Sequence, residues 1–438
     1  MRKTILSLTL LLTLLSHAQD LWTETCLFPD QRFVPLKISI ANNNTIWMCG
    51  ADYLETQNST QVWWRSTDSG VTWEHGNIDL GHPDLYIHSI SGISDDTAYV
   101  SAGSGSLTSN GGVWVTNDAG IHWTRQLTYE YHESGTISDT NVYFWDAQNG
   151  VSMGNPEGNQ FEIYTTNNSG TTWERVSAAQ LPSALPNEKG RLVCNDPRGN
   201  CIWFSTNKDR LFKSNDKGLS WSATQSPMPE SEIGRVAFKN ENDGIFANFK
   251  TTDGGQTWND MNSPFSQYYY EFYTAVPGTS GTYFSWGTAF LDLARGSSYS
   301  VDNGISYTFL NDTEERPVEV FYAIFKSNTI GYCFGAWADS FHFFKLNSNA
   351  FHRLMKTESN TFPRFSNVPN PANNIVNISG NKIKSVTILD FSGKKILNQN
   401  YPVSDDVVLD ISKLQSGIYL AEVTTDSGTS STIKILKN

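Results

Sequence analysis

Ser66-Thr-Asp68-Ser-Gly70-Val-Thr-Trp73 is the first copy of an eight-residue phrase that recurs along this chain. The other copies are Thr116-Asn-Asp118-Ala-Gly120-Ile-His-Trp123, Thr166-Asn-Asn168-Ser-Gly170-Thr-Thr-Trp173, Ser214-Asn-Asp216-Lys-Gly218-Leu-Ser-Trp221, Thr251-Thr-Asp253-Gly-Gly255-Gln-Thr-Trp258 and Ser300-Val-Asp302-Asn-Gly304-Ile-Ser-Tyr307. Their third residues are separated by 50, 50, 48, 37 and 49 positions. A period in this range indicates stacked supersecondary units, each too small to bury its own apolar face.

The residue types of the phrase predict a hairpin turn with an apolar anchor. Asp or Asn at the third place can accept backbone N–H bonds within its own turn. Gly at the fifth place supplies a positive φ that a side chain would resist. The closing Trp is a large apolar side chain that can pack against a neighbouring unit. We therefore interpret the third, fifth and eighth residues as structural.

These six copies resemble the Asp-box, the sialidase-type BNR repeat with the pattern Ser/Thr-x-Asp-x-Gly-x-x-Trp. The resemblance covers the chain from about Leu21 to Lys356. In that family each box joins the two outer strands of a four-stranded propeller blade. The resemblance therefore implies an all-β propeller. Because the box residues repeat around the ring, whereas a catalytic centre is unique, we assign no catalytic and no metal-binding role to them.

A seventh unit lacks the box residues but keeps the strand pattern. Val318–Phe325 and Gly331–Trp337 are typical of strands, and Phe341–Asn349 ends where a seventh box would fall. Leu21–Phe28 could supply the outer strand of this last blade and so close the ring, which would remove exposed sheet edges. We predict seven blades, with six or eight as alternatives.

The N-terminus and the composition limit the location and the partners. Residues 1–18 are typical of a secretory signal peptide, with Arg2-Lys3 before an apolar run and Ser16-His17-Ala18 as the cleavage site. No later stretch of the sequence is long and apolar enough to predict a transmembrane anchor. The net charge of −13 argues against a nucleic-acid partner, which requires a basic face.

The chain has five cysteines, and an odd number excludes complete pairing within the chain. Cys194 and Cys201 flank a turn-rich stretch and could form a disulfide across a hairpin. The alternative is that they are small buried residues, which is our interpretation of Cys26, Cys49 and Cys333. The His residues show no ligand spacing near these thiols, so we predict neither a zinc site nor a cofactor.

A change of composition after Met355 predicts a second domain. We place the propeller at 19–356, a polar linker with Pro363 at 357–366, and a small Ig-like β-sandwich at 367–438. Its predicted strands are separated by turn residues. They are Ile375–Ser379, Ile383–Asp390, Lys395–Gln399, Val407–Asp410, Ile418–Thr424 and Thr432–Leu436.

The tail resembles the type A C-terminal sorting domain of the type IX secretion system. The resemblance is carried by Asn370, Pro371, Asp390, Gly393, Lys394, Gly417 and Tyr419 within their phrases. It implies that the secretion machinery is a partner and that the protein passes through the periplasm to the outer cell surface or the medium. It also implies cleavage in the linker. The alternative is an ordinary Ig-like adhesion module.

Enzymatic chemistry finds little support in the sequence. A sialidase has an Arg-Ile-Pro phrase, and Arg32-Phe33-Val34-Pro35 departs from it by one extra residue. Two-carboxylate glycosidases of the Asp-box type use a cleft between tandem propellers, whereas one ring fits in this chain. The acids at candidate loop positions are Asp146, Glu157, Glu271 and Asp292, and the sequence pairs none of them.

The middle of the chain resembles secreted propellers related to the photosystem-stability-factor group. The resemblance is carried by Val142–Gly158, Phe161–Thr166, Asn200–Thr206 and Arg210–Ser214. Members of that group share a binding surface on a rigid ring. We predict no cofactor, because the sequence contains no dinucleotide, quinone or haem motif.

Aromatic residues outside the boxes are the remaining indication of a ligand. They are Trp63, Trp64, Trp145, Trp286, Trp337 and Tyr268–Tyr270. Exposed members would form sugar-stacking platforms, whereas buried members would pack between blades. The leading hypothesis is a non-catalytic surface protein that binds an unknown extracellular ligand, with glycans among the candidates. The alternatives are a polysaccharide-active glycoside hydrolase or lyase, and a periplasmic assembly factor.

Overall fold

The computed structural model describes residues 21–52, 61–104, 111–126, 140–192, 197–227, 236–246, 248–261, 272–288, 295–310, 318–337, 340–348, 350–351, 366–368, 371–390, 394–426 and 430–438. The chain divides into two compact units, 1–351 and 352–438. The predicted signal peptide and most of the predicted linker lie outside the described residues, so their bounds remain predictions.

The first unit contains seven antiparallel four-stranded sheets among its described residues, which confirms the predicted seven-bladed propeller. Blade 1 consists of β2 (Phe33–Ile40), β3 (Ile46–Asp52), β4 (Val62–Ser66) and β5 (Glu74–Asn77). Blade 2 consists of β6 (Leu85–Gly92), β7 (Ala98–Ser104), β8 (Gly112–Thr116) and β9 (Thr124–Arg125). Blade 3 consists of β10 (Asn141–Phe144), β11 (Gly150–Glu157), β12 (Gln160–Thr166) and β13 (Glu174–Arg175).

The next three blades repeat this order, with the first strand of each innermost and the last strand outermost. Blade 4 consists of β14 (Gly190–Arg191), β15 (Ile202–Thr206), β16 (Arg210–Ser214) and β17 (Ser222–Gln225). Blade 5 consists of β18 (Val236–Phe238), β19 (Gly244–Phe246), β20 (Phe249–Thr251) and β21 (Asn259–Asp260). Blade 6 consists of β22 (Phe272–Ala275), β23 (Tyr283–Thr288), β24 (Arg295–Ser300) and β25 (Thr308–Phe309).

Blade 7 is built from both ends of the propeller sequence. Its inner strands are β26 (Glu319–Phe325), β27 (Gly331–Trp337) and β28 (Ser340–Leu346). Its outer strand is β1 (Trp22–Leu27), which pairs antiparallel with β28 and so confirms the predicted ring closure. The Gln31 side chain extends this pairing, because it donates from Nε2 to the Phe341 carbonyl and accepts the Phe341 N–H at Oε1.

Apolar clusters between neighbouring blades form the core of the ring. Trp47 of blade 1 lies in one cluster with Ile87 and Trp114 of blade 2, and all three are buried. Phe161 of blade 3 lies in another with Phe204 of blade 4. Because each sheet is apolar on both faces, a blade is stable only between two neighbours.

The second unit is a five-stranded sheet system folded around its own apolar cluster. Its strands are β29 (Ser366–Val368), β30 (Ile375–Leu389), β31 (Lys395–Asp410), β32 (Gly417–Thr425) and β33 (Ser430–Lys437). The four strands predicted within 375–410 are in fact two long strands. The pairing of β30 with β31 shifts register between Ser379 and Ile383, where Lys382 has a φ of 51°. Such an irregularity lets a strand bend without leaving the ladder.

Candidate functional site

Each of the six repeated phrases forms a turn, here called a box turn, between the third and fourth strands of its blade. In the first, the Gly70 N–H donates to Ser66 Oγ at 2.8 Å, and Asp68 Oδ1 accepts the Thr72 N–H at 2.9 Å. The Thr72 hydroxyl donates to Asp68 Oδ2 at 2.6 Å. These bonds occupy the Asp carboxylate within its own turn.

The residue before the box Gly also has a positive φ, which the sequence did not indicate. The values are 67° at Ser69, 66° at Ala119, 61° at Ser169, 58° at Lys217, 76° at Gly254 and 65° at Asn303. This conformation directs the backbone N–H of that residue towards the turn between the first two strands of the same blade. For example, the Ser69 N–H donates to the Asn44 carbonyl at 2.8 Å and the Ala119 N–H donates to the Asp96 carbonyl at 2.9 Å. Each box turn therefore ties two hairpins of its blade together.

The glycine at the fifth place of each box turn contacts the preceding blade, and so does Trp73 at the eighth place of the first. A Cβ added at Gly70 would lie 2.5 Å from Phe343 of blade 7, and one at Gly120 would lie 2.4 Å from Trp63 of blade 1. The Trp73 ring packs edge-on against Phe343, with 4.7 Å between centroids. The box residues therefore pack blades together, which favours their structural interpretation.

Asp118 of the second box turn has a lowered pKa of about 2. The largest cause is the backbone N–H of His122, which donates to Oδ1 at 2.9 Å, and the His122 ring adds a contact of 2.6 Å to Oδ2. In the third box turn Asn168 takes the same place: its Oδ1 accepts the Thr172 N–H, and its amide donates to the Thr172 hydroxyl. An amide is therefore compatible with this turn.

We expect the box turn at Asp118 to make the propeller acid-sensitive. Its folded pKa lies below the unfolded value of about 3.9, so the ionised carboxylate stabilises the fold above pH ~4, and this contribution is lost as pH falls towards 2. Asp118→Asn should reduce the fall in the urea unfolding midpoint between pH 4 and pH 2. The reciprocal change Asn168→Asp should increase it. An unchanged pH dependence in both variants would contradict the role of this carboxylate.

The acids considered for catalysis do not form a pair among the described residues. Asp146 accepts the Gln148 and Asn149 N–H groups and pairs with Lys217 Nζ at 3.0 Å, and its pKa is lowered by these contacts against the opposing effect of desolvation. Glu157 pairs with Arg175 at 3.2 Å. Glu271 and Asp292 lie outside the described residues.

The described arginines mostly have structural contacts. Arg32 lies just before β2, and its N–H donates to Asp30 Oδ1. Arg65 pairs with Glu74 at 2.5 Å, and Arg125 lies over the Trp114 ring. No carboxylate-binding arginine cluster of the sialidase kind is found in the part of the chain that the structure describes.

One cysteine of the predicted pair and four of the eight aromatic candidates lie among the described side chains. Cys201 Sγ lies 3.2 Å from Asn215 Oδ1, and Cys194 lies outside the described residues, so their disulfide remains a prediction. Trp63, Trp64 and Trp286 are buried between blades, whereas Trp145 keeps part of its surface open. Tyr268–Tyr270 and the side chain of Trp337 lie outside the described part.

A cavity of about 610 Å³, here called the axial channel, lies where the innermost strands of the blades meet. The innermost strands of six blades line it, together with the segment before β15. Its charged lining residues are Lys37, Asp146, Arg198 and Lys326, and its open aromatic residues include Tyr143, Trp145 and Tyr322. A cavity of this size suits a small ligand or a short polymer segment.

The sorting residues of the tail serve its strand pairing. Asp390 Oδ1 accepts the Lys394 N–H at 3.0 Å and so closes the turn between β30 and β31. Gly417 begins β32 opposite Lys437, and the Tyr419 hydroxyl donates to the Gln415 carbonyl at 3.0 Å. Pro371 is exposed, and Asn370 and Gly393 lie outside the described residues.

Residues 368–438 match the family of secretion system C-terminal sorting domains. The chain therefore carries the sorting domain of type IX secretion, which directs export to the cell surface or the extracellular space. No described helix has the length and hydropathy of a membrane span. None of the curated proteins compared with the chain matches it.

Solved structures similar to this chain include propellers. YCF48 bound to D1 peptide is 15% identical, with a TM-score of 0.52 over 75% of this chain and 97% of that one. YCF48 from Cyanidioschyzon merolae is 14% identical, with a TM-score of 0.51 over 74% of this chain and 98% of that one. At these identities the similarity supports the fold alone.

Proposed function

We propose that this chain is a non-catalytic propeller that binds a glycan or a protein outside the cell, after export by its sorting domain. The proposal includes a signal peptide at residues 1–18. The observation that carries it is the axial channel: it presents open aromatic rings and cations, and the one acid in its described lining already pairs with Lys217. A glycosidase would require two carboxylates at a defined separation.

Two further observations support binding over catalysis. The box-turn carboxylates are occupied by their own turns, as Asp68 shows. A propeller of the same fold, YCF48, has been solved with a bound peptide, which shows that such a ring can serve as a binding scaffold. Export beyond the periplasm disfavours the alternative of a periplasmic assembly factor.

The test applies the full-length protein to glycan and protein arrays and incubates it with the glycans that it retains. We expect retention without release of reducing ends or unsaturated products. Product formation that Asp146→Asn abolishes would instead support a hydrolase or lyase. Failure to retain any glycan or protein would contradict the proposed binding function.

A further inference from the structure

The described lining of the axial channel is positively charged, whereas the whole chain is negatively charged. Lys37 of blade 1, Arg198 before β15 and Lys326 of blade 7 contribute positive charge to its lining. The acid Asp146 is neutralised by Lys217, with 3.0 Å between the charged atoms. Because the protein carries a net charge of −13, a cationic channel attracts anions that the rest of the surface repels.

Lys326 is placed to receive an anion. Its Nζ donates to the Ala41 carbonyl of blade 1 at 3.0 Å, and no carboxylate lies within ion-pair distance of it among the described residues. An ammonium group has three donors, so this contact leaves donors for a ligand. Desolvation lowers the pKa of Lys326, and an anion bound beside it would offset that cost.

The channel also offers backbone groups and aromatic faces. The innermost strands, such as β2, β6 and β26, are terminal in their sheets, so one backbone edge of each faces the axis. Sugar hydroxyls both donate and accept, and can therefore pair with N–H and C=O groups in any register. Trp145 and Tyr322 keep part of their rings open at the channel, which suits stacking of sugar rings.

We propose that the axial channel binds an acidic saccharide, whose carboxylates pair with Lys326 and Lys37 while its rings pack on Trp145. This inference rests on the proposed binding function and names its ligand class. Cations from separate blades match a chain of uronic acids, which carries one carboxylate on each ring. The carboxylate at a peptide C-terminus would pair with one of these cations only.

The experiment measures binding to the full-length protein by calorimetry at low salt. The probes are a galacturonic acid trimer, a neutral galactose trimer and a triaspartate peptide. We expect the uronate trimer to bind and the neutral trimer to bind at least about tenfold more weakly. Lys326→Gln and Lys37→Gln should each weaken uronate binding about tenfold or more, because each removes a charge-assisted hydrogen bond. Glutamine can still donate to the Ala41 carbonyl, so the Lys326 variant keeps that contact.

Lys250→Gln is the matched control, because Lys250 lies on β20 away from the channel lining. It should bind the uronate trimer like the wild type. Equal losses in all three variants, or equal binding of the charged and neutral trimers, would overturn the proposal. Binding of triaspartate in preference to uronate would overturn it too, while leaving the proposed binding function intact. If the protein binds none of these probes and retains nothing on the arrays, both this inference and the proposed binding function are contradicted. If Lys326→Gln does not fold, Lys37→Gln decides the outcome.

Discussion

Gly120→Ala should destabilise the propeller by about 2–4 kcal/mol, the sum of backbone strain and steric overlap. Gly120 has a φ of 92°, a conformation that an L side chain adopts at a cost of about 1–2 kcal/mol. A Cβ at this position would lie 2.4 Å from the ring of Trp63 in the preceding blade. Trp63 is buried against Trp47, so its ring has no free space into which to move.

Gly81→Ala is the matched control for backbone strain. Gly81 has a similar φ of 82°, but an added Cβ would meet no atom within 4 Å. We expect it to cost about 1–2 kcal/mol, the backbone strain alone. Urea unfolding followed by tryptophan fluorescence measures both. An equal loss of unfolding free energy in the two variants would contradict a contribution from the contact between blades at the box glycine.

Glu188→Ala should lower the free energy of unfolding by about 3–5 kcal/mol, because it leaves the largely buried Arg210 guanidinium without its carboxylate partner. The Glu188 side chain is fully buried, and its Oε2 lies 2.8 Å from Arg210 Nη1. Glu188 also accepts the Thr206 hydroxyl at 2.7 Å and the Leu185 N–H at 2.8 Å. The cluster joins the segment before β14 to the β15–β16 turn, so its loss should loosen blade 4.

Glu157→Ala is the matched control for an ion pair. The side chains of Glu157 and Arg175 are 45% and 36% exposed, and such pairs contribute about 0–1 kcal/mol. Thermal and urea unfolding of the two variants measures the difference. A loss below about 1 kcal/mol for Glu188→Ala would contradict the role of the buried pair.

The repeat made the propeller predictable because it encodes local turns at a fixed period. Blade 7 was predicted from its strand pattern, and β1 was assigned as its outer strand because an array of blades must cover its edges. The bends of β30 and β31 were missed. One strand was predicted to end at Ser379 and the next to begin at Ile383, but at this register shift a single strand bends and continues.

The channel could not be predicted from the sequence, because its lining is assembled from distant segments. Lys37, Arg198 and Lys326 lie in different blades, and only ring closure brings them to one axis. Glu188 and Arg210 belong to one blade, but β14 and β15 separate them in the sequence, so their ion pair was not predicted either. The positive φ before each box glycine was also missed, because residues as different as Ala119 and Lys217 occupy that place.

The pairing of β1 with β28 closes the ring inside blade 7, which therefore contains both the first and the last strand of the propeller sequence. Its first and last strands, Trp22–Leu27 and Ser340–Leu346, are neighbours although more than 300 positions separate them. This contact can form only when β28 is present, so blade 7 cannot be completed before the last segment of the propeller is available. A circularly permuted propeller whose ends lie between two other blades would keep every strand pairing.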